Sequence, residues 1–162
     1  SELLIMKSVL PLRFLSGMEG QQSHIAVEAL INGKSALLII DTGASNCVLD
    51  SVRAAQFGLE HDPSFRSDSA IGIGSDSLSV SLSRCESFEL SEFRMEKFPF
   101  VLLDLSTINE TFGKAGCDQI DGIIGTDLLL AANAVIDYKS ATILFRGSKR
   151  ALQRLFRSIT VS

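Results

Sequence analysis

Five consecutive residues have the types and order that could do chemistry, and they directly follow the apolar stretch 36–40: Asp41, Thr42, Gly43, Ala44 and Ser45. A carboxylate at the end of a buried strand must be paired, hydrogen-bonded or neutralised, because an isolated buried charge is very unfavourable. The adjacent hydroxyl and the tightly turning glycine supply local hydrogen bonds. We therefore expect a buried carboxylate held in a turn, which is more typical of a chemical site than of a structural one.

A second segment with distinctive chemistry begins about 80 residues later, at residues 120–129, and it reads Ile-Asp-Gly-Ile-Ile-Gly-Thr-Asp-Leu-Leu. An Asp-Thr-Gly tripeptide alone is common by chance. Together and in this order, however, the two segments resemble the two signatures of aspartic peptidases, and the resemblance spans residues 24–146. In that family the second segment passes close behind the catalytic turn, and its apolar pair packs against it.

The glycine-rich stretch 70–77, Ala-Ile-Gly-Ile-Gly-Ser-Asp-Ser, lies between the two signatures. From the residues alone it is equally well a plain surface hairpin. In retroviral-type aspartic peptidases a glycine-rich hairpin at this place closes over the bound peptide as a flap, so the resemblance implies that role for Ile71, Gly72, Ile73 and Gly74. The chain's one tyrosine, Tyr138, lies elsewhere. The stretch therefore lacks the flap tyrosine of pepsin-like enzymes and is similar to the retropepsin-like, single-domain kind.

Only one Asp-Thr-Gly occurs in the chain, and no Asp-Ser-Gly does. Aspartic peptidase chemistry uses two carboxylates about 3 Å apart that share one proton. One carboxylate activates a water as general base, and its protonated partner polarises the scissile carbonyl. The resemblance therefore implies a homodimer in which each protomer contributes one Asp41 across a two-fold axis.

The residues around Asp41 take further roles from the resemblance. Thr42 would hydrogen-bond across the dimer axis, the carbonyl of Gly43 would bind substrate, and Ala44 would allow tight packing. Ser45 replaces the acidic residue that is usual in retroviral members. Contacts to the ends of the substrate therefore cannot be copied from the viral enzymes.

Residues farther along both signatures have supporting roles. The resemblance implies that Val48, Ile123 and Ile124 line apolar substrate subsites. Asp127 is expected to cap its helix or to brace the catalytic turn, without taking part in chemistry. Cys47 is interpreted as a small buried hydrophobe in preference to a reactive thiol.

The pattern along the chain predicts an almost all-β fold with one or two short helices. Strands are expected at 24–30 and 35–40 around an Asn-Gly turn at residues 32–33, and again at 78–90, 98–103, 134–138 and 141–145. A helical turn is expected within 51–57. The resemblance implies a closed β-barrel of the retropepsin-like kind, equivalent to half of the pepsin-type bilobal fold.

The chain divides into an N-terminal extension at 1–20 with a strand near 9–14, a peptidase domain at 21–146, and a basic C-terminal helix at 147–162. Residues 146–162 hold five basic residues and no acidic ones. Such a helix can contact a membrane or nucleic acid, but a helix docked through its apolar face is the favoured interpretation. That apolar face is formed by Leu152, Leu155, Phe156 and Ile159.

Composition sets the remaining expectations. The chain has 162 residues, of which 46% are hydrophobic and 21% charged, as is typical of one globular domain. Its three cysteines and two histidines have no metal-ligand spacing, so neither a metal nor another cofactor is expected. The odd number of thiols favours a reducing compartment such as the cytoplasm. No apolar run approaches the ~20 residues of a membrane span, and the short apolar run near the start is not a signal peptide.

Two functions therefore compete. The first is a homodimeric aspartic endopeptidase that cuts an extended polypeptide held as a strand. The second is a catalytically silent peptide-binding or dimerisation module that kept the fold. A third interpretation, an acidic scaffold with a purely structural Asp41, leaves the costly carboxylate unexplained. The intact Asp-Thr-Gly, the glycines of the flap segment and the second signature favour the enzyme.

Overall fold

The structure, a computed structural model, describes residues 4–16, 22–59 and 81–159. It is mostly β, with three short α-helices and a 3-10 helix at Ala54–Phe57. The strands are β1 Ile5–Pro11, β2 Arg13–Ser16, β3 Gln22–Ile31, β4 Lys34–Ile40, β5 Val48–Asp50, β6 Ser81–Arg84, β7 Ser87–Leu90, β8 Phe93–Glu96, β9 Pro99–Leu103, β10 Gly122–Ile124, β11 Val135–Asp137 and β12 Thr142–Ser148. The helices are α1 Ser106–Lys114, α2 Thr126–Ala131 and α3 Lys149–Ser158. The predicted fold class is confirmed, although α1 was not predicted.

The large sheet brings the two signatures together. Its strand order is β6-β9-β5-β10-β4-β3-β7-β8, with β2 paired to β3. Strand β10 lies between β4 and β5, parallel to the first and antiparallel to the second. Gly122 is required for this insertion, because a Cβ there would lie 2.3 Å from the carbonyl oxygen of Val48. Segments about 80 residues apart in sequence therefore end side by side.

The β3–β4 hairpin delivers Asp41 to the site. Its turn residues Asn32 and Gly33 have φ values of 50° and 78°, the left-handed conformation that this dipeptide favours. The Asn32 side chain also accepts hydrogen bonds from the amides of Glu86 and Ser87 at 2.8 and 3.1 Å. The predicted turn is therefore confirmed, and it ties the hairpin to β7.

The small sheet has the order β1-β12-β11. Strand β1 pairs with β12 along its full length, from Ile5 opposite Ser148 to Pro11 opposite Thr142. The strand predicted near 9–14 is present as two strands, β1 and β2, because the chain changes partner at Leu12. Pro11 has no amide hydrogen to donate, and the Leu12 amide bonds the carbonyl of Ala141 at 2.9 Å before β2 joins β3.

Helix α3 covers the core, as predicted. Its Leu152 and Phe156 are buried, and the Phe156 ring packs edge-on against Phe98 with 4.9 Å between ring centroids. The side chain of Ser148 caps the helix by accepting from the amide of Ala151 at 3.0 Å. The helix starts later than expected, because residues 147–148 belong to β12. None of the helices described is both long and apolar enough to cross a membrane.

Candidate active site

The turn after β4 presents the carboxylate of Asp41. The backbone amide of Asp41 donates to the carbonyl of Ile124 at 3.0 Å, and the backbone carbonyl of Asp41 accepts from the amide of Ala44 at 3.2 Å. The amide of Gly43 donates to Asp41 Oδ1 at 2.8 Å. The hydrogen bond predicted from the glycine is therefore present, and it fixes the direction of the carboxylate.

The expectation that Asp41 is buried is wrong for the single chain. The apolar residues of β4 are buried from Ala36 to Ile40, but Asp41 itself is exposed. The reason is geometric: the chain leaves the sheet at this residue, and the carboxylate lies at the rim of a cleft. Asp41 therefore remains accessible to a ligand or to a second protein chain.

The start of α2 holds the Asp41 turn from behind. The backbone amide and the hydroxyl of Thr126 both donate to the carbonyl of Ala44, at 2.8 and 3.1 Å. The amide of Asp127 donates to the carbonyl of Ser45 at 3.3 Å. Gly125 makes this approach possible, because a Cβ there would lie 2.5 Å from the carbonyl oxygen of Asn46. The two signatures are thus joined mainly through their backbones.

The carboxylate of Asp127 braces the same turn. It accepts from the amide of Cys47 and from its thiol, each at 3.2 Å, and from the amide of Leu128 at 2.7 Å. The Cys47 sulfur in turn accepts from the amide of Gly125 at 3.4 Å. Burial, and then the nearby charge of Asp127, raise the pKa of the Cys47 thiol well above its usual range. Of the two roles predicted for Asp127, the structure shows the brace, and Gly125 occupies the N-cap position of α2.

A cleft of about 790 Å³ opens beside Asp41 and Thr42. Most of the described side chains that line it are aliphatic or aromatic, and Asp41 is the one carboxylate among these described residues. A concave, mainly apolar surface with a few polar groups is typical of a ligand site. The lining residues are Phe14, His24, Ile25, Ile39, Ile40, Asp41, Thr42, Thr107, Ile108, Thr111, Phe112, Ile120, Ile123, Ile136 and Tyr138.

The residues predicted to bind substrate are not all placed in this cleft. Ile123 lines it. Val48 and Ile124 are buried in the hydrophobic core beneath the turn, 6% and 0% exposed, and do not line the cleft. Ser45 is exposed beside the turn. The predicted flap segment 71–74 lies outside the described residues.

Helix α1 supplies one wall of the cleft, and it was not predicted from the sequence. Ile108 and Phe112, one helical turn apart, both face the cleft. That spacing was a usable signal, as was Asp104, whose carboxylate accepts from the amide of Ser106 at 2.8 Å at the helix start. Hydrogen bonds from the side chain and then from the amide of Ser106 lower the pKa of Asp104. The segment's threonines and Gly113, which are weak helix formers, obscured the signal.

Comparison with known proteins agrees with this geometry. The aspartyl protease family matches residues 27–128, more than half of the chain, and the chain belongs to this family. A retropepsin-like aspartic protease from Rickettsia conorii superposes with a TM-score of 0.53 at 13% identity, covering 90% of this chain and 94% of that chain. This similarity shows the fold, which is retropepsin-like as predicted.

Two other solved structures are similar at lower scores. The retroviral protease-like domain of Ddi1 from Leishmania major has a TM-score of 0.48 at 24% identity, covering 70% of this chain and 81% of that chain. EIAV protease in complex with an inhibitor has a TM-score of 0.49 at 15% identity, covering 71% and 93%. A search of curated proteins found no match.

Proposed function

We propose that this protein is an aspartic endopeptidase that works as a homodimer and hydrolyses peptide bonds in an extended polypeptide. One observation carries the proposal: Asp41 is exposed at the rim of an apolar cleft, in a turn that the second signature holds in place. Membership of the aspartyl protease family supports the same conclusion.

The need for a second copy follows from the chemistry. The dyad of an aspartic protease requires two carboxylates that share a proton. Asp41 is the one carboxylate in the described lining of the cleft. Asp50 and Asp121 are buried elsewhere, where they accept hydrogen bonds from backbone amides. A two-fold axis close to Asp41 would bring a second Asp41 to the first and would complete the site in a closed dimer.

The proposed reaction needs only the two carboxylates and water. The ionised carboxylate takes a proton from a water, whose oxygen bonds to the scissile carbonyl carbon, and the protonated carboxylate donates to the carbonyl oxygen. The tetrahedral gem-diol intermediate then collapses: one of its hydroxyls returns a proton to the carboxylate that is now ionised, the C–N bond breaks, and the nitrogen accepts the proton of the other carboxylate, so that an acid and an amine are released. Each turnover restores one shared proton.

The remaining predicted residues keep their proposed roles around this dyad. Thr42, which is exposed next to Asp41, would hydrogen-bond to its counterpart across the axis. The carbonyl of Gly43 would accept from the substrate main chain. The 71–74 segment would close over the peptide as a flap, excluding water and adding main-chain hydrogen bonds.

The test joins activity to oligomeric state. The purified protein is incubated with a peptide mixture between pH 4 and 8, cleavage is followed by mass spectrometry, and sedimentation is measured over the same protein concentrations. We expect cleavage that weakens as pH rises and the shared proton is lost, and activity per chain that falls as dimer gives way to monomer. Constant activity per chain across that dissociation would contradict the shared site. Binding of peptides without cleavage would favour the silent binding module instead.

A further inference from the structure

Strand β1 lies at the edge of the small sheet, and β12 is its one partner among the described strands. In an antiparallel pair, residues that hydrogen-bond to the partner strand alternate with residues whose backbone groups point away from it. The Leu4 carbonyl accepts from the amide of Lys149 at 3.0 Å. The amide of Leu12 donates to the carbonyl of Ala141 at 2.9 Å. Leu4 and Leu12 are both even-numbered and the register between them is unbroken, so the even-numbered residues of β1 bond to β12.

The odd-numbered residues Ile5, Lys7 and Val9 therefore direct their backbone amides and carbonyls away from β12, toward the outer edge. Among the described residues, no hydrogen-bond partner is found for these groups. Two open clefts follow the edge, one of about 810 Å³ along residues 4–7 and one of about 400 Å³ along residues 9–11. Because the row of donors and acceptors is accessible from these clefts, a further strand can pair with it.

The side chains of Ile5, Lys7 and Val9 indicate what a further strand should carry. They are exposed on the outer face of the small sheet, whereas the residues between them are buried or partly buried. Ile5 is 52% exposed and Val9 is 56% exposed, and both offer apolar surface. Lys7 lies between them and directly opposite Arg146 of β12, and neither cation forms an ion pair with a described carboxylate. Like charges in this position repel, so an acidic residue on the other side of Lys7 would offset the repulsion.

The inner side of a further strand would face the larger cleft, whose opposite wall includes residues of β8. That wall carries both signs of charge, and its cations Arg94 and Lys97 are already paired with carboxylates at 2.7 and 2.6 Å. Glu92 and Glu96 line the same cleft. Polar side chains without negative charge therefore suit the inward-facing positions of the strand.

We propose that the outer edge of β1 is a docking site for an extended segment of a partner protein, which adds to the small sheet as a further strand. The segment has the pattern apolar-polar-acidic-polar-apolar. Its acidic residue lies beside Lys7, and its apolar residues lie beside Ile5 and Val9. The site is separate from the proposed active site, since no residue of β1 lines the cleft beside Asp41. The proposal therefore stands or falls independently of the peptidase function.

Two other occupants fit this edge less well. A lipid surface would leave the outward backbone groups of β1 without hydrogen bonds. A second copy of β1, paired antiparallel about its centre, would bring two Lys7 side chains together beside Arg146. An extended acidic segment satisfies the backbone groups and offsets the positive charge at once.

The first experiment measures binding of a probe peptide. A fluorescently labelled peptide with the central sequence Val-Thr-Glu-Thr-Val is titrated into the Asp41→Asn protein, which should not cleave it, and anisotropy is recorded. A second peptide carries Lys in place of the Glu. We expect the Glu peptide to bind about 5-fold more tightly than the Lys peptide, because its carboxylate lies beside Lys7. Absence of saturable binding of the Glu peptide below about 1 mM would overturn the proposal.

A charge reversal locates the bound peptide. Lys7→Glu should reverse the preference, so that the Lys peptide binds about 5-fold more tightly than the Glu peptide. The matched control is Lys139→Glu, which makes the same change of charge at an exposed lysine outside both clefts. The control should keep the preference for Glu. Equal preferences in the two variants would mean that the peptide senses only the net charge or binds elsewhere, and the proposal would fail.

Val9→Pro tests the backbone pairing directly. It removes an outward amide hydrogen but no bond to β12, and proline is tolerated at an edge where the amide faces solvent. We expect affinity for the Glu peptide to fall several-fold relative to Val9→Thr, which keeps the amide. Sedimentation of Val9→Pro should match that of the wild type. A shift toward monomer would show that this edge joins two copies of the chain and not a partner protein, which would overturn the proposal.

Hydrogen exchange of individual amides tests the edge without any substitution in β1, and it decides the matter if Val9→Pro fails to fold. In the free Asp41→Asn protein, we expect the odd-numbered amides of β1 to exchange at least about 10-fold faster than the even-numbered ones. Saturation with the Glu peptide should slow the odd-numbered amides selectively. Equal protection of both sets in the free protein would mean that the outer edge is already covered. Protection confined to the residues around position 41 would place the peptide in the other cleft. Either result would overturn the proposal.

Discussion

The aspartates of this protein occupy two contrasting environments. Asp121 is buried, where its carboxylate accepts from the amide of Leu37 at 2.8 Å and from the Arg53 guanidinium at 3.2 Å. Asp50 is 1% exposed and accepts from the amides of Val52 and Leu105. Asp41 is exposed, and the hydrogen bond described for its carboxylate comes from the amide of Gly43.

The difference shows which carboxylate is suited to chemistry. A buried carboxylate with its oxygens occupied by backbone amides and a guanidinium is held in one role, since any change would leave those donors without partners. Asp41 is held in direction by its turn, but it can still meet a water, a substrate or a second carboxylate. In this fold the buried aspartates build the frame, and the exposed one is positioned by it.

The largest effect should come from Asp41→Asn, which keeps the shape of the side chain and removes its charge. We expect kcat/KM for peptide cleavage to fall on the order of 10⁴-fold, because the amide can neither accept the proton of water nor share one with a partner. The free energy of unfolding should change by less than about 0.5 kcal/mol, because the residue is exposed. Both are measured on one preparation, by peptide cleavage and urea unfolding.

The matched control is Asp118→Asn, which alters another exposed aspartate, one paired with Arg13 outside the cleft lining. It should leave both kcat/KM and stability nearly unchanged, because exposed ion pairs contribute little. Full turnover in the pure Asp41→Asn protein would remove the basis of the proposed mechanism.

Asp121→Ala should lower stability strongly and activity weakly, which is the opposite of the result expected for Asp41→Asn. This change leaves the Leu37 amide without its buried acceptor and removes one of the partners of the Arg53 guanidinium, which keeps Asp50. We therefore expect a loss of about 2–4 kcal/mol in the free energy of unfolding. Measured under conditions where the protein is still folded, kcat/KM should fall far less than in Asp41→Asn. A stability loss below about 0.5 kcal/mol would show that the buried aspartates are not the frame.

Some features of this structure could be predicted from the sequence, and others could not. The Asp41 turn, the Asn32–Gly33 hairpin and the docked α3 were predicted because each depends on local residue chemistry or on helical periodicity. The pairing of β1 with β12 was not, because Ile5 and Ser148 are brought together only by the whole fold. The exposure of Asp41 was also missed, since burial of a strand's last residue depends on which element covers it.

Asp127 and Cys47 brace the Asp41 turn, and removing the hydrogen bond between their side chains should have a smaller effect. Cys47→Val keeps a small apolar side chain but takes a donor from Asp127 and an acceptor from the amide of Gly125. We expect a loss of about 1–3 kcal/mol in stability and a lower kcat, because the turn loses part of its brace. Cys47→Ser, which retains donor and acceptor, should be closer to the wild type in kcat. Equal kcat in both variants would show that packing alone matters at this position.

The smallest effect should come from Cys85, whose thiol is buried, whereas the carboxylate of Asp41 is exposed. Burial raises the pKa of Cys85 from 9.0 to about 12. Between those values the folded protein keeps a proton that the unfolded chain loses, so the free energy of unfolding should fall as pH rises above about 9, by at most about 1.4 kcal/mol per pH unit for one thiol. Below pH 9 this thiol should contribute no slope. Urea unfolding at pH 8, 9 and 10 should therefore give a steeper alkaline decline for the wild type than for Cys85→Ala, since other groups titrate alike in both. Equal declines in the wild type and in Cys85→Ala would mean that the Cys85 thiol ionises in the folded protein at nearly the same pH as in the unfolded chain. Burial in this core would then raise the pKa of the thiol much less than expected.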